Sequence, residues 1–182
     1  MKKPIALAAV LAALAAAPAR AEEPSRSLDV TPMVGAFLPI LDQRDVFSNT
    51  LLLGLRGTYD FHPNVAFVAT VAWARPEAAG EKVDLFQWDV GLQGQAPFAL
   101  SSRWSLEPFA GVGIGTRTYS FVDLDLETQT DFAFYAAAGA DLRRDRLALG
   151  LSARHQLTAF SPVGDSDARG DLAVFASASL RF

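Results

Sequence analysis

The strongest constraint on this chain is a two-residue hydrophobic alternation that recurs in eight segments along it. Turn-forming or charged residues separate these segments, and helical periodicity is scarce after residue 26. Successive side chains of a β-strand point to opposite faces, so the pattern predicts eight strands that each have one apolar face. The predicted strands are residues 27–38, 49–60, 64–74, 84–96, 104–117, 131–142, 146–158 and 170–182.

The two faces of each predicted strand differ in polarity. In the second segment, Leu53 and Leu55 lie on one face, and Arg56 and Thr58 lie on the other. A soluble β-barrel is the alternative, but it would carry a heavily charged exterior, whereas the charge here is mostly confined to turns and loops. Hydrocarbon offers no hydrogen-bond partner to an open strand edge, so membrane strands close into barrels, and bacterial barrels have even strand numbers. The sequence therefore predicts an all-β fold, an eight-stranded antiparallel up-and-down transmembrane β-barrel.

The connections between the predicted strands alternate between short and long. The short ones are 61–63, 98–103 and 143–145, and the long ones are 39–48, 75–83, 118–130 and 159–169. Outer-membrane barrels have short periplasmic turns and longer external loops, so the long set is predicted to face outward. Carboxylates are frequent in the long loops, which is typical of a solvated rim. The alternative is that these carboxylates bind a divalent cation, but no calcium-loop spacing supports it.

The first residues have the layout of a secretory signal peptide. Two lysines precede an apolar stretch from Ile5 to Ala17, and Ala19 and Ala21 form a small-x-small cleavage site. The stretch is short for a transmembrane helix, which needs ~20 residues, so an uncleaved anchor is the weaker alternative. We therefore predict cleavage after Ala21, with a signal peptide over residues 1–21 and an outer-membrane β-barrel domain over residues 22–182.

Composition narrows the classes of function. The chain has a formal net charge of −4, and removal of the signal peptide would leave 13 basic and 20 acidic residues. A nucleic-acid partner is therefore not expected. The chain has no cysteine, which excludes disulfides, thiolate metal sites and lipoprotein lipidation.

The last predicted strand carries the pattern of an outer-membrane assembly signal. Leu172, Val174 and Leu180 alternate with polar or small residues, and the final residue, Phe182, is aromatic. Three further motifs are VGAFLP (34–39), TYDFHPN (58–64) and EPFAGVGIG (107–115). Together these features resemble the small outer-membrane β-barrel superfamily of OmpA-like and OmpX-like proteins. The resemblance implies that the barrel-assembly machinery recognises Phe182 and its strand, and that outer-membrane lipid and lipopolysaccharide surround the barrel.

Members of this superfamily have several functions, so the resemblance alone does not select one. We expect a noncatalytic barrel that contributes to envelope structure or surface interaction, with an unknown surface partner. The alternatives are a narrow channel for small hydrophobic molecules and an outer-membrane lipid A-modifying hydrolase.

The hydrolase hypothesis depends on His155 together with Ser152 or Ser161, because barrel enzymes of this kind use a serine and a histidine. His155 shares its parity with the leucines of its strand, and RHQLTAF lacks the closely spaced His and Ser-Asn that those enzymes display. We therefore predict no catalytic residue, no metal site and no cofactor.

The interior of an eight-stranded barrel is just wide enough for side chains to fill. We predict a packed luminal charge network of Arg56, Asp89, Glu107 and Arg154, because buried charge is costly unless it is paired. In this network Arg56 pairs with Glu107, and Asp89 pairs with Arg154. The alternate glycines of residues 111–115 do not fit a dinucleotide-binding fingerprint and are predicted to leave room for bulk from opposite strands.

Overall fold

A computed structural model of the protein describes residues 26–40, 44–122, 128–158 and 169–182. Its ten strands are β1 Ser27–Ile40, β2 Thr50–His62, β3 Val65–Ala74, β4 Glu77–Ala78, β5 Glu81–Gln95, β6 Phe98–Ala99, β7 Trp104–Phe121, β8 Gln129–Arg144, β9 Leu147–Thr158 and β10 Arg169–Arg181. Among the described residues, no helix has the length and apolar character needed to cross a membrane. The predicted signal peptide, with Ala19 and Ala21, lies outside the described residues.

Eight long strands close into a barrel, and β4 and β6 are two-residue additions to its rims. Each long strand pairs antiparallel with the next long strand in the chain, and β1 pairs with β10 to complete the ring. At this seam Pro32 has no N–H to donate to the ladder, and the hydroxyls of Thr31 and Ser179 lie 2.7 Å apart beside it. The predicted eight-stranded antiparallel up-and-down barrel is confirmed.

The outer and inner faces of the barrel have the polarity that the alternation predicts. On the outer face Leu53 is 44% exposed and Leu151 is 68% exposed, whereas Arg56, Asp89 and Arg154 are buried inside. A soluble barrel would have the opposite arrangement. An apolar exterior around a charged interior suits a barrel that is surrounded by hydrocarbon.

The two ends of the barrel differ in their connections. One end, the short-turn end, carries the connections from β2 to β3, from β5 to β7 and from β8 to β9. The opposite end, the loop end, carries the connections from β1 to β2, from β3 to β5, from β7 to β8 and from β9 to β10. Residues 41–43, 123–127 and 159–168 of the loop end lie outside the described residues.

Two strands extend further toward the loop end than the alternation predicts. β7 continues to Phe121 and β8 begins at Gln129, with Tyr119 opposite Gln129 in their ladder. The hydrophobic alternation fades there because polar residues, Thr118 and Ser120, occupy the outer face of the strand. Backbone pairing does not require apolar side chains, so the connection between these strands is shorter than predicted.

Candidate functional site

The lumen of the barrel is filled by three layers of charged and amide side chains, which we name by their depth. The lower tier, at the short-turn end, consists of Asp29, Asp60, Glu107, Arg143 and Arg181. The middle tier consists of Arg56, Asp89, Asp141 and Arg154. The upper tier consists of Gln87, Arg117, Gln156 and Asp171. All of these residues occupy the inward-facing parity of their strands, which brings them together in the lumen.

The lower tier joins five strands through two arginines. Arg143 donates from Nε to Glu107 at 2.8 Å and from Nη2 to Asp29 at 2.5 Å. Arg181 donates from Nε to Asp29 at 2.8 Å and from Nη2 to Asp60 at 3.1 Å. Asp29 therefore accepts from both arginines, and the tier has three carboxylates for two guanidinium groups.

In the middle tier, Arg154 has the denser set of contacts. Its guanidinium donates to Asp89 at 2.5 Å and to the hydroxyl of Thr70 at 3.2 Å. Its Cζ also lies 4.0 Å from the centroid of the Tyr135 ring, within the range of a cation–π contact. Desolvation strengthens both kinds of contact inside the barrel.

The second arginine of the middle tier lies across the lumen. Arg56 Nη2 is 3.5 Å from Asp141 Oδ2, and the Arg56 Cζ lies 5.1 Å from the centroid of the Phe109 ring. A cavity of about 20 Å³ lies beside these groups and is lined by both middle-tier arginines, Phe109 and Tyr135. A space of this size holds about one water molecule.

The upper tier is built around Arg117, whose side chain is only 1% exposed. Both terminal nitrogens donate to the carboxylate of Asp171, and Nη2 also donates to Gln87 at 2.9 Å and to Gln156 at 2.6 Å. The Arg117 Cζ lies 5.7 Å from the centroid of the Phe37 ring. One guanidinium thus links β5, β7, β9 and β10 across the lumen.

A cluster of buried apolar side chains, which we call the apolar cap, lies above the upper tier at the loop end. Phe47, from the connection between β1 and β2, forms a β-bridge with Ala78 and stacks on Tyr119 with 5.7 Å between ring centroids. The members of the cap are buried side chains at the loop end, namely Phe47, Leu52, Ala78, Val83, Leu85 and Tyr119. From the loop end inward, the lumen therefore passes from an apolar layer to a layer of paired charge.

The structure brings some of the predicted luminal residues together and separates others. Asp89 and Arg154 are in contact. The predicted pairing of Arg56 with Glu107 is wrong, because Arg56 faces Asp141 and Glu107 binds Arg143. Counting residues from the nearest turn does not give a residue's depth, because barrel strands tilt and are staggered relative to one another.

Sequence reasoning also missed the upper tier and most of the lower tier. Arg117 is the last residue of its predicted strand, and Arg143 lies in a predicted turn. Both lie within longer observed strands and point inward. The signal that identifies these two arginines is the inward parity of charged residues at a predicted strand end, for Arg117, and just beyond one, for Arg143.

The residues of the predicted assembly signal lie on the last strand or directly after it. Val174 and Leu180 are exposed on the outer face, and Leu172 is half-buried there. Phe182 is 70% exposed, and its backbone N–H donates to the carbonyl of Leu28 at 2.9 Å. The Phe182 ring is therefore available to a partner, and its role in assembly stays a prediction.

Two glycines on adjacent strands make room for a bulky luminal residue. Gly91 and Gly113 lie opposite each other in the ladder. A Cβ added to Gly113 would lie 2.5 Å from the Tyr135 ring and 2.2 Å from the Val90 carbonyl oxygen. These glycines thus accommodate Tyr135, whose ring contacts Arg154.

The residues of the hydrolase hypothesis are not assembled into a site. Ser152 has the luminal parity of β9, and His155 has the lipid-facing parity, so their side chains leave opposite faces of one strand. Ser161 lies outside the described residues.

Comparison with known proteins identifies barrels of the same architecture. Neisserial surface protein A is 12% identical with a TM-score of 0.69, and the match covers 85% of this chain and 97% of that one. Ail, the attachment invasion locus protein of Yersinia pestis, is 16% identical with a TM-score of 0.51, covering 86% and 99%. The outer membrane enzyme PagL is 18% identical with a TM-score of 0.51, covering 84% and 98%. At such identities the likeness shows the fold alone.

The sequence itself gives the family. No curated protein matches it significantly. The family model described as the outer membrane protein beta-barrel domain matches residues 6–182. The chain therefore belongs to the outer membrane protein β-barrel family and is an integral protein of the outer membrane.

Proposed function

We propose that this protein is a sealed, noncatalytic barrel that contributes to envelope structure or surface interaction through its long loops. The observation that carries the proposal is the filled lumen, in which an apolar cap lies above three tiers of paired charge. A lumen of this kind stabilises the barrel and holds its loops on a rigid support.

The filled lumen argues against a channel. An ion or solute that moves along the axis would have to separate Arg117 from Asp171 and displace the cap residues Phe47 and Tyr119. Passage would separate buried ion pairs in each tier, and a buried charge without its partner is costly. The cavity of about 20 Å³ in the middle tier is too small for a hydrophobic solute.

The loop end supports a role in surface interaction. Its described connections expose polar and charged residues, including Arg44, Asp45, Glu77 and Lys82. One structural neighbour is an attachment invasion locus protein that was solved with a heparin analogue. Acidic residues outnumber basic ones in the long loops of the present protein, which favours a ligand of different chemistry from a polyanion.

The noncatalytic part of the proposal is supported by the arrangement of the candidate residues. Ser152 and His155 point to opposite faces of β9, so they do not form a nucleophile–base pair. The fold of PagL is similar, but fold similarity does not carry chemistry with it.

The route to the outer membrane is also part of the proposal. We infer that a signal peptide over residues 1–21 is cleaved after Ala21, with Ala19 and Ala21 at the cleavage site. The barrel-assembly machinery then recognises Phe182 and its strand, and the folded barrel is surrounded by outer-membrane lipid and lipopolysaccharide. Mass spectrometry of the N-terminus of the purified protein tests the cleavage site.

Single-channel recording of the purified barrel in a planar bilayer tests the sealed lumen. We expect no steady conductance from the unmodified protein. Phe47→Ala removes part of the cap but leaves the upper tier, so this variant is also expected to stay closed. Steady conductance from the unmodified protein would overturn the proposal in favour of a channel.

Incubation with labelled lipid A tests the noncatalytic part. Ser152→Ala and His155→Ala are the controls, and we expect the unmodified barrel to release no more labelled acyl chain than these variants do. Release by the unmodified barrel that either variant abolished would contradict the noncatalytic part of the proposal.

A further inference from the structure

We propose that the short-turn end of the barrel carries a binding site for anionic phospholipid headgroups, formed by Arg103, Arg144 and Arg146 in two adjacent turns beside Trp104. We call these three residues the arginine cluster. Arg103 directly precedes β7, Arg144 ends β8, and Arg146 directly precedes β9. Trp104 lies opposite Arg144 in the β7–β8 ladder, which brings the two turns next to each other.

The arginine cluster is exposed and has no carboxylate partner among the described residues. The luminal arginines, by contrast, are all paired with carboxylates. The one acidic residue in the β8–β9 turn, Asp145, is exposed, so the three arginines and this aspartate leave a local charge of +2. Free guanidinium groups present planar sets of donors that match the oxygens of a phosphate.

The position of Arg144 and Trp104 relative to the apolar exterior places this part of the cluster at the level of lipid headgroups. Leu106, Leu142 and Leu149 form a continuous outward-facing row across three strands. Trp104 and Arg144 lie two residues closer to the short-turn end, where the Arg144 Cζ is 5.5 Å from the centroid of a Trp104 ring. Tryptophan favours the interface between hydrocarbon and water, so the adjacent Arg144 guanidinium lies at the depth of the lipid phosphates.

Charge complementarity selects an anionic phospholipid as the occupant. The whole chain has a net charge of −4, so this concentration of unpaired positive charge is local and not a general property of its surface. Phosphatidylglycerol carries one net negative charge at its phosphate, whereas phosphatidylcholine is neutral overall. Basic residues at a membrane surface attract anionic lipids, and each one strengthens the attraction about five-fold.

Quenching of Trp104 fluorescence by brominated lipids tests the proposal. The full-length barrel is prepared with Trp73→Phe and Trp88→Phe, which leaves Trp104 as the single tryptophan, and is placed in phosphatidylcholine vesicles. A fraction of the lipid is then replaced by brominated phosphatidylglycerol or by brominated phosphatidylcholine. We expect the phosphatidylglycerol to compete for the site next to Trp104 at least five-fold more effectively, and we expect high salt to reduce this preference.

Replacement of the cluster separates headgroup binding from general membrane association. Arg103→Gln, Arg144→Gln and Arg146→Gln together are expected to abolish the preference. Arg44→Gln with Lys82→Gln, which removes two exposed charges at the loop end, is the matched control and should keep it. Folding of the triple variant is checked by its heat-modifiable migration in gel electrophoresis. If it does not fold, Arg144→Gln alone is tested and is expected to lose part of the preference for phosphatidylglycerol.

Two results would overturn the proposal. One is equal quenching of the unmodified barrel by the two brominated lipids. The other is a preference for phosphatidylglycerol that survives in the folded triple variant. Neither result affects the sealed-lumen proposal, because the arginine cluster lies outside the lumen.

Discussion

Replacing Arg117 with methionine is expected to destabilise the barrel by ~4 kcal/mol, which is roughly a thousand-fold in the unfolding equilibrium. The magnitude follows from what the substitution leaves behind. The side chain of Asp171 is 1% exposed and would keep its negative charge in the lumen with no guanidinium beside it. Removing one partner of a buried ion pair typically costs ~3 to 5 kcal/mol. Gln87 and Gln156 would also lose a charged donor, but their amides can reorient and donate to Asp171.

The assay is reversible unfolding of the purified barrel in lipid vesicles with denaturant, followed by tryptophan fluorescence. Asp171→Asn in the Arg117→Met background should recover part of the loss, because it removes the orphaned carboxylate. Arg75→Met is the control, since its ion pair with Asp84 is exposed on the barrel surface and is worth less than ~1 kcal/mol.

The double-mutant cycle decides whether the upper tier acts as a unit. Residues that share one network show coupling energies of ~0.5 to 3 kcal/mol, whereas independent residues give additive losses. Additive losses for Arg117→Met and Asp171→Asn would refute the reasoning, and so would a loss in Arg117→Met as small as that in Arg75→Met.

Three further predictions concern space in the lumen, depth in the membrane and assembly. Gly113→Ala should destabilise the barrel by ~1 to 3 kcal/mol in the same unfolding assay, because the added Cβ would collide with Tyr135 and with backbone. Gly57→Ala is the control and should be nearly neutral, because a Cβ at that position meets nothing within 4 Å. Both Leu147 and Leu151 face outward, but Leu151 lies in the middle of β9 and Leu147 at its end. Leu151→Arg should therefore lower the free energy of unfolding by ~2 to 4 kcal/mol and Leu147→Arg by less than ~1 kcal/mol. Equal losses of stability would contradict the lipid-facing assignment. Deletion of Phe182 should lower the amount of barrel in the outer membrane of cells while refolding in vesicles stays close to normal, and wild-type abundance in cells would argue against the assembly role.

The sequence by itself determined the strand number, the antiparallel closure and the polarity of the two faces. These follow from the two-residue period, which is a local property of an extended chain and can be read without knowing any long-range contact. Leu53 and Arg56, for example, lie on opposite faces of any strand that contains both. Chain order then determined the neighbours, because an even number of strands that each pair with the next one along the chain closes into an up-and-down barrel.

The tertiary structure alone decided which luminal groups bind one another and which residues form the apolar cap. Arg56, Glu107 and Asp141 all occupy inward-facing positions of their strands, so each points into the lumen. The stagger between strands then determines that Arg56 faces Asp141. The cap depends on Phe47, which lies in a connection without alternation and is held by its bridge to Ala78. Such contacts join residues that are far apart in the sequence, so no local period encodes them, and they exist only once the closed barrel has fixed the distances across its lumen.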